Sequence, residues 1–137
     1  VGADIAIDPI HEDVESVLSN HGIKDFNTVI ECVGHKKTML DAIKYASKNA
    51  VVMLFGLGNP SDEIPIKPFE IFRKEIVIKS SYTNPYTQDR ANKLINSGRI
   101  NLKSLIAETV SLKELSEVLK DPARRRKGKI IIDPWKD

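Results

Sequence analysis

An apolar run that ends in two glycines constrains the fold of this chain more than any other stretch. Residues 49–58 read Asn-Ala-Val-Val-Met-Leu-Phe-Gly-Leu-Gly, and helical patterns flank the run. Uninterrupted apolar residues are typical of a central strand in a parallel sheet whose two faces are covered by helices. Gly56 and Gly58 follow at the strand end where ligands bind in open α/β sheets. The glycines indicate either a ligand-binding edge or a turn that needs glycine for its shape alone.

Strand and helix patterns alternate along the first hundred residues. Helices are indicated by apolar residues at the i, i+3, i+4 spacing, and strands by short apolar runs. The strands are predicted at residues 5–7, 28–33, 50–55 and 76–78, and the helices near residues 12–21, 39–46, 68–72 and 87–97. In the last of these helices, Ala91, Leu94 and Ile95 are expected to face inward. The alternation predicts an α/β fold with a doubly wound parallel sheet.

The last third of the chain has a different character. Residues 102–110 match the pattern of neither a helix nor a long strand. Their assignment stays open, and another layer of the fold is one alternative. Ser111 and Glu114 have the spacing of a capping box, in which each side chain satisfies a free N–H group at a helix start. A final strand is predicted at residues 129–133. The basic run at residues 124–127 indicates a solvated turn, with anion binding as the alternative.

Composition limits the classes of partner. The chain has 137 residues, 41% of them hydrophobic, and 21 basic against 19 acidic side chains, which leaves a net charge of +2. This balance predicts neither a nucleic-acid partner nor binding to a membrane. Cys32 is the single cysteine, so the sequence predicts no internal disulfide, no zinc spacing and a reducing, cytoplasmic setting. The chain opens without a methionine or a lead-in to its first strand, as expected of a piece of a longer protein.

Three predicted strands end in small or polar residues, and these ends are expected to meet at one edge of the sheet. The ends read Cys-Val-Gly at residues 32–34, Phe-Gly-Leu-Gly at residues 55–58 and Ser-Ser-Tyr at residues 80–82. Val33 and Leu57 can supply apolar walls for a ligand, and a serine or threonine hydroxyl can bond its amide or hydroxyl groups. Cys32 is predicted to be a small buried apolar residue rather than a nucleophile, since no motif places a histidine to activate it.

Five short motifs occur in an order that resembles one enzyme family. They are Gly-Ala-Asp at residues 2–4, Val-Ile-Glu-Cys-Val-Gly at 29–34, Leu-Phe-Gly-Leu-Gly at 54–58, Ser-Tyr-Thr-Asn-Pro-Tyr-Thr at 81–87 and Gly-Lys-Ile-Ile-Ile-Asp-Pro at 128–134. The ordered set resembles the medium-chain, zinc-dependent alcohol dehydrogenases, above all the sorbitol (polyol) and L-threonine dehydrogenase branch. The chain departs from that branch at residues 80–82, where Gly-Ser-Phe is frequent, and at residues 83–84, where some animal polyol dehydrogenases have Arg-Tyr.

The resemblance implies that the chain is the later part of a Rossmann-type domain that binds NAD or NADP. The parent protein would then transfer a hydride between the cofactor and a secondary alcohol or polyol, with its catalytic zinc held outside this chain. In this family the first strands, the glycine-rich phosphate turn and the zinc ligands precede the Gly-Ala-Asp motif, so the sheet is expected to be N-terminally truncated. Residues 1–100 are expected to belong to the cofactor domain, and residues 101–137 to a segment that returns toward the catalytic domain.

The same resemblance implies where the cofactor lies. The loop at residues 32–34 is expected beside its adenosine half, the loop at 55–57 beside the nicotinamide, residues 81–83 near the carboxamide, and Lys129 near the pyrophosphate. The cofactor-binding residues are therefore predicted to be Cys32, Val33, Gly34, Phe55, Gly56, Leu57, Ser81, Tyr82, Thr83 and Lys129. No catalytic residue and no metal ligand is assigned to this chain.

Two other classes of protein are alternatives to the dehydrogenase interpretation. A phosphoacceptor or flavin-binding module would match the size, but phosphoacceptor chemistry needs clustered carboxylates after the first strand, where only Asp8 is available. The other class is a noncatalytic nucleotide-binding or scaffold domain with a dehydrogenase fold. The parent enzyme is expected to act on a small-molecule alcohol and to form a homo-oligomer, because an open sheet edge favours association with another chain.

Overall fold

The computed structural model of the chain describes residues 2–82 and 86–136, and the fold divides into two compact units. One unit is Asp4–Pro85, and the other comprises Val1–Ala3 and Tyr86–Asp137. In the described ranges, no helix combines the length and the apolar content needed to cross a bilayer. The assignment of residues 1–100 and 101–137 to different functional domains stays a prediction.

The Asp4–Pro85 unit is built around a three-stranded parallel sheet. Its strands are ordered β1-β2-β3, so that β2 lies in the centre. The elements are α1 (Val14–Asn20), β1 (Phe26–Glu31), α2 (Lys36–Lys44), β2 (Ala46–Leu54), α3 (Pro68–Lys74) and β3 (Val77–Ser80). The predicted α/β architecture, its parallel strands and the central position of the apolar run are therefore confirmed.

The core of this unit lies where α2 and the strand β3 meet β2. Val52 is fully buried at the middle of β2, and Ala46 and Ala50 of the same strand are buried with it. Ala42 of α2 and Ile76, just before β3, complete the cluster. Because alanine side chains are small, the helix backbone can lie close to the strand. The apolar run is thus buried as a central strand requires.

The beginning of β2 differs from the sequence prediction. Ala46 was expected on the inward face of a helix, but α2 ends at Lys44 and Ala46 already pairs with Phe26 of β1. The register then shifts before Thr28 pairs with Val51, with Asn49 in the left-handed region at φ 58°. The apolar spacing continues through residue 46, but the backbone there forms a strand. Pairing with β1 supplies hydrogen-bond partners for the backbone groups at the start of β2.

The first helix follows its predicted signals. Asp13 is the N-cap of α1, and its carboxylate accepts a hydrogen bond from the Ser16 N–H at 2.7 Å. Gly22 follows the helix end with φ 69°, and its N–H donates to the Ser19 carbonyl at 2.9 Å. An acidic N-cap and a left-handed glycine at the stop explain why the sequence marks both ends of this helix.

The strand predicted at residues 5–7 is wrong. This segment is described, but it pairs with no strand in the described part of the chain. Apolar content alone does not make a strand, because the backbone of a strand needs a neighbour that completes its hydrogen-bond ladder. Ile5 and Ile7 are instead half-buried, near Leu18 of α1 and Phe26 of β1.

The second unit contains a separate two-stranded parallel sheet, β4 with β5. Its elements are α4 (Gln88–Asn96), a 3-10 turn (Lys103–Leu105), β4 (Ile106–Ser111), a second 3-10 turn (Leu112–Glu114), α5 (Leu115–Lys120), α6 (Pro122–Arg126) and β5 (Lys129–Asp133). The unassigned residues 102–110 therefore form a turn and most of a strand. The predicted inward face of α4 is wrong, because Ala91, Leu94 and Ile95 are all exposed.

The basic run belongs to the helix α6 rather than to the predicted turn. Arg124 forms a bidentate pair with Glu108 of β4, at 2.6 Å from Nε to Oε1 and 2.8 Å from Nη2 to Oε2. Glu114 lies 3.5 Å from the same guanidinium and accepts the Ser111 N–H at 2.9 Å, which confirms the glutamate half of the capping box. Arg124 thus links α6 to β4, and its guanidinium is paired with carboxylates of its own unit.

Candidate functional site

The rim of the first unit consists of residues 32–34, 55–57 and 81–82, which follow β1, β2 and β3. These strands are parallel, so their carboxyl ends lie at the same edge of the sheet. The structure brings eight predicted residues together there: Cys32, Val33, Gly34, Phe55, Gly56, Leu57, Ser81 and Tyr82. Lys129 lies in the other unit, exposed at the start of β5, and Thr83 lies outside the described residues.

A cleft of about 400 Å³ opens between the second and third rim segments. Its lining runs from Leu54 to Leu57 on one side and from Ser80 to Tyr82 on the other. Leu57 is 86% exposed and Tyr82 is 79% exposed, so two large residues border the cleft at the surface. Apolar walls beside hydroxyl and backbone groups suit a planar ring that carries a polar substituent.

The rim glycines are required by contacts between backbones. A Cβ atom on Gly56 would lie 2.2 Å from the Gly34 nitrogen and 2.7 Å from the Val33 carbonyl carbon. A Cβ atom on Gly34, which has φ 81°, would lie 2.3 Å from the Leu57 oxygen. The space that a side chain would occupy at Gly56 is filled by the neighbouring rim loop, so the contact between the two loops by itself requires glycine there. The interpretation of this edge as a ligand-binding edge stays a prediction.

Glu31 is a rim-supporting residue that the sequence analysis did not identify. It is the last residue of β1 and only 4% exposed. Its Oε1 atom accepts hydrogen bonds from the N–H groups of Val33 and Gly34, at 2.8 and 2.9 Å, and from the Thr38 hydroxyl at 2.8 Å. The sequence did contain a signal, because a carboxylate at the end of an apolar strand must find donors when it is buried.

The ionisation of Glu31 follows from these partners. Burial on its own would raise the pKa of the carboxyl group, and it is the largest single influence. The hydrogen bonds from Thr38, Gly34 and Val33 act in the opposite direction and together outweigh it, so the pKa of Glu31 is lowered. The group is therefore a carboxylate at neutral pH, and its hydrogen bonds are charge-assisted.

The thiol and the histidines do not form a catalytic or metal-binding group. Cys32 is exposed, so its predicted burial is wrong; it lies beyond the last residue of β1, on the rim. His35 caps α2 by accepting the Lys37 N–H, and His11 pairs with Asp8 at 2.6 Å. Across residues 2–82 and 86–136, no three histidine, cysteine or acidic side chains gather as metal ligands. The described residues therefore do not fit a zinc ion.

Residues 1–97 match the family of zinc-binding dehydrogenases. Among curated proteins, the chain is similar to D-arabinitol dehydrogenase 1 of Uromyces fabae, with 26% identity over 80% of this chain and 31% of the relative. It is also similar to L-idonate 5-dehydrogenase of Vitis vinifera, with 28% identity over 86% of this chain and 32% of the relative. The chain thus spans about a third of the length of these relatives.

Solved structures show the same fold. A protein of Sinorhizobium meliloti 1021, described as a zinc-binding dehydrogenase and bound to NADP, superposes with a TM-score of 0.86. The two are 29% identical, and the match covers 98% of this chain and 40% of that one. The Rossmann-type fold class and the resemblance to zinc-dependent dehydrogenases are confirmed. The chain belongs to the zinc-binding dehydrogenase family.

Proposed function

We propose that this chain is part of the NAD(P)-binding domain of an enzyme that transfers a hydride between a polyol, or another secondary alcohol, and NAD or NADP. The observation that carries the proposal is the rim, where three parallel strands of a dehydrogenase-family chain end at one edge of the sheet, with an apolar cleft between the ends of the second and third strands. The named relatives act on arabinitol or idonate, which supports a polyol as the substrate class.

Each rim segment has an assigned part in this proposal. Residues 32–34 lie beside the adenosine half of the cofactor and residues 55–57 beside the nicotinamide, while residues 81–83 bond the carboxamide and Lys129 approaches the pyrophosphate. The exposed apolar side chains of Leu57 and Tyr82 fit a nicotinamide ring, and the Ser81 hydroxyl fits its amide. When bound, the cofactor supplies the hydride-accepting ring, and the protein holds and orients it.

The proposal extends to the parent protein. As a zinc-binding dehydrogenase it would hold zinc through ligands outside this chain, as the family resemblance implies. The S. meliloti structure holds NADP and a structure from Escherichia coli CFT073 holds NADH, so the proposal includes both nicotinamide cofactors. A cytoplasmic homo-oligomer is the form we propose, supported by the single cysteine and by the open edges of the three-stranded sheet.

The test uses the purified full-length protein. We expect reduction of NAD or NADP in the presence of arabinitol, xylitol or idonate, followed by the absorbance of the reduced nicotinamide. Zinc should be present by elemental analysis, and its removal with a chelator should abolish turnover without abolishing cofactor binding. A protein that binds a cofactor but contains no zinc and oxidises no secondary alcohol would instead be the noncatalytic domain considered as an alternative.

A further inference from the structure

Glu31 holds two rim loops through two different groups. Its buried carboxylate bonds the N–H groups of Val33 and Gly34, and so fixes the loop that follows its own strand. Its backbone carbonyl accepts the N–H groups of Phe55 and Gly56, both at 2.8 Å, and so fixes the loop that follows β2. A single residue therefore connects the carboxyl ends of two neighbouring strands.

The two loops also contact each other directly. A Cβ atom on Gly56 would meet the Gly34 nitrogen and would lie 2.7 Å from Glu31 Oε2, and a Cβ atom on Gly34 would meet the backbone of Leu57. A displacement of one loop must therefore displace the other. The same carboxylate accepts the Thr38 hydroxyl, which anchors this assembly to the first turn of α2.

The charge of Glu31 matters for this arrangement. One oxygen, Oε1, accepts three donors within 2.9 Å, and Gly34 N–H also lies 3.1 Å from Oε2. An ionised carboxylate offers acceptor capacity on both oxygens and forms hydrogen bonds that are about twice as strong as neutral ones. A glutamine has the same shape, but its NH₂ group is a donor that would face the Gly34 N–H.

We infer that Glu31 is a positioning residue for the cofactor, which fixes residues 32–34 and residues 55–56 in one geometry before the cofactor binds. This inference rests on the proposed function, because it needs the rim to be the cofactor site. Glu31 acts through the rim loops and not by touching the ligand. Preorganised loops lower the ordering cost of binding, so the loss of this carboxylate reduces cofactor affinity.

The experiment compares variants of the full-length enzyme. We expect Glu31→Gln to weaken the binding of NAD or NADP by about tenfold, because hydrogen bonds to a charged group are lost. Thr38→Val removes one donor, leaves the carboxylate in place, and is expected to weaken cofactor binding by about threefold. Glu63→Gln is the matched control, since Glu63 is an exposed carboxylate in the loop after β2. We expect it to bind the cofactor as the wild type does.

Cofactor affinity, the KM values for cofactor and alcohol, and the melting temperature together separate positioning from general stabilisation. Cofactor affinity is titrated with NADH and NADPH by the fluorescence of the reduced nicotinamide, well below the melting temperature of every variant. The KM values for the oxidised cofactor, and for the alcohol at saturating cofactor, are then compared. The inference predicts a rise in the cofactor KM with an alcohol KM that stays within about twofold. A merely structural role would lower the melting temperature of the variants and leave cofactor affinity unchanged in the folded protein.

The outcomes distinguish this inference from the proposed function. If the wild type binds a nicotinamide cofactor and folded Glu31→Gln binds it equally well, Glu31 is not a positioning residue and the proposed function stands. If Glu31→Gln does not fold, wild-type affinity in Thr38→Val overturns the inference and reduced affinity supports it. If the wild type binds neither NAD nor NADP, the proposed function fails and the inference is overturned with it.

Discussion

Gly56 has no side chain, and this allows its loop to pack directly against the loop that contains Gly34. Its backbone conformation is not left-handed, so the need for glycine comes from the close contacts with Gly34, Val33 and Glu31. We expect Gly56→Ala to reduce the free energy of unfolding by about 1–3 kcal/mol, the usual cost of overpacking. Thermal and urea unfolding of the variant and the wild type would measure this loss.

Gly58→Ala is the matched comparison for this prediction. A Cβ atom on Gly58 would lie 3.2 Å from Met39 Cε, the flexible end of a side chain, and 3.3 Å from the Gly34 oxygen. Small adjustments can relieve these contacts, so the stability loss should be smaller than for Gly56→Ala. Equal losses in the two variants would contradict the assignment of Gly56 to a backbone-to-backbone contact.

The pH dependence of stability reports on Glu31. Its folded-state pKa is lowered, so its ionisation stabilises the fold above the pKa of the unfolded chain, about 4.3, and this contribution is lost as the pH falls through the folded-state value. Other carboxylates with lowered pKa values, such as Glu108 and Glu114, add to the acid sensitivity of the wild type. The difference between wild type and Glu31→Gln isolates the one group.

We therefore expect the stability difference between wild type and Glu31→Gln to be largest at neutral pH and to shrink below about pH 4.3. Urea unfolding of both proteins across this pH range is the measurement. The Glu63→Gln variant controls for the loss of a surface charge and should show little difference at any pH. A stability difference that is constant from neutral to acidic pH would show that the carboxylate charge is not what holds the rim.

At the scale of the element, Arg124 determines how α6 is attached. The Nε and Nη2 groups of its guanidinium both donate to Glu108, and Nη2 also approaches Glu114, which caps the turn after β4. We expect Arg124→Lys to lower the melting temperature, because an ammonium group cannot reproduce the bidentate geometry. Arg125→Lys is the control, since the described residues show no ion pair for Arg125. Similar melting temperatures for the two variants would contradict this role.

The elements that the sequence predicted well are those with local signals. The helix α1 has an acidic N-cap and a glycine after its end. The strand β2 has an apolar run that is buried only in the centre of a sheet. The ends of α1 depend on neighbours in the sequence, and the hydrophobicity of β2 requires a central position. The start of β2 was not predicted, because it depends on pairing with β1. In an α/β fold with parallel strands, the carboxyl ends of the strands lie at the same edge of the sheet. The sequence could therefore predict that eight residues meet at this edge.

The features that the sequence did not predict depend on partners that are distant in the sequence. Residues 5–7 have strand composition but no strand beside them in the described part of the chain. The way in which Glu31 joins two rim loops depends on the N–H groups of Phe55 and Gly56, which follow β2 and bond its backbone carbonyl. Apolar periodicity contains no information on such contacts, so only the fold shows them.

At the scale of the whole molecule, the three-stranded sheet has two unpaired edges among the described residues. β1 and β3 each pair with β2 on one side only, and Ile30 of β1 is 61% exposed. Edge strands present free N–H and C=O groups that can pair with another chain. The matched part of this chain covers about a third of each of these relatives, so most of each relative lies outside the match.

The isolated 137-residue chain is therefore expected to self-associate through the β1 edge. Sedimentation velocity over a range of concentrations should show a shift from monomer to dimer or larger species as the concentration rises. Ile30→Lys should weaken this association, because a lysine on an edge strand opposes pairing with a second strand. Ile10→Lys adds the same charge at an exposed isoleucine that lies outside every strand, and it should leave the association unchanged. A monomer at all concentrations, or an equal effect of the two lysines, would show that the β1 edge does not recruit another chain.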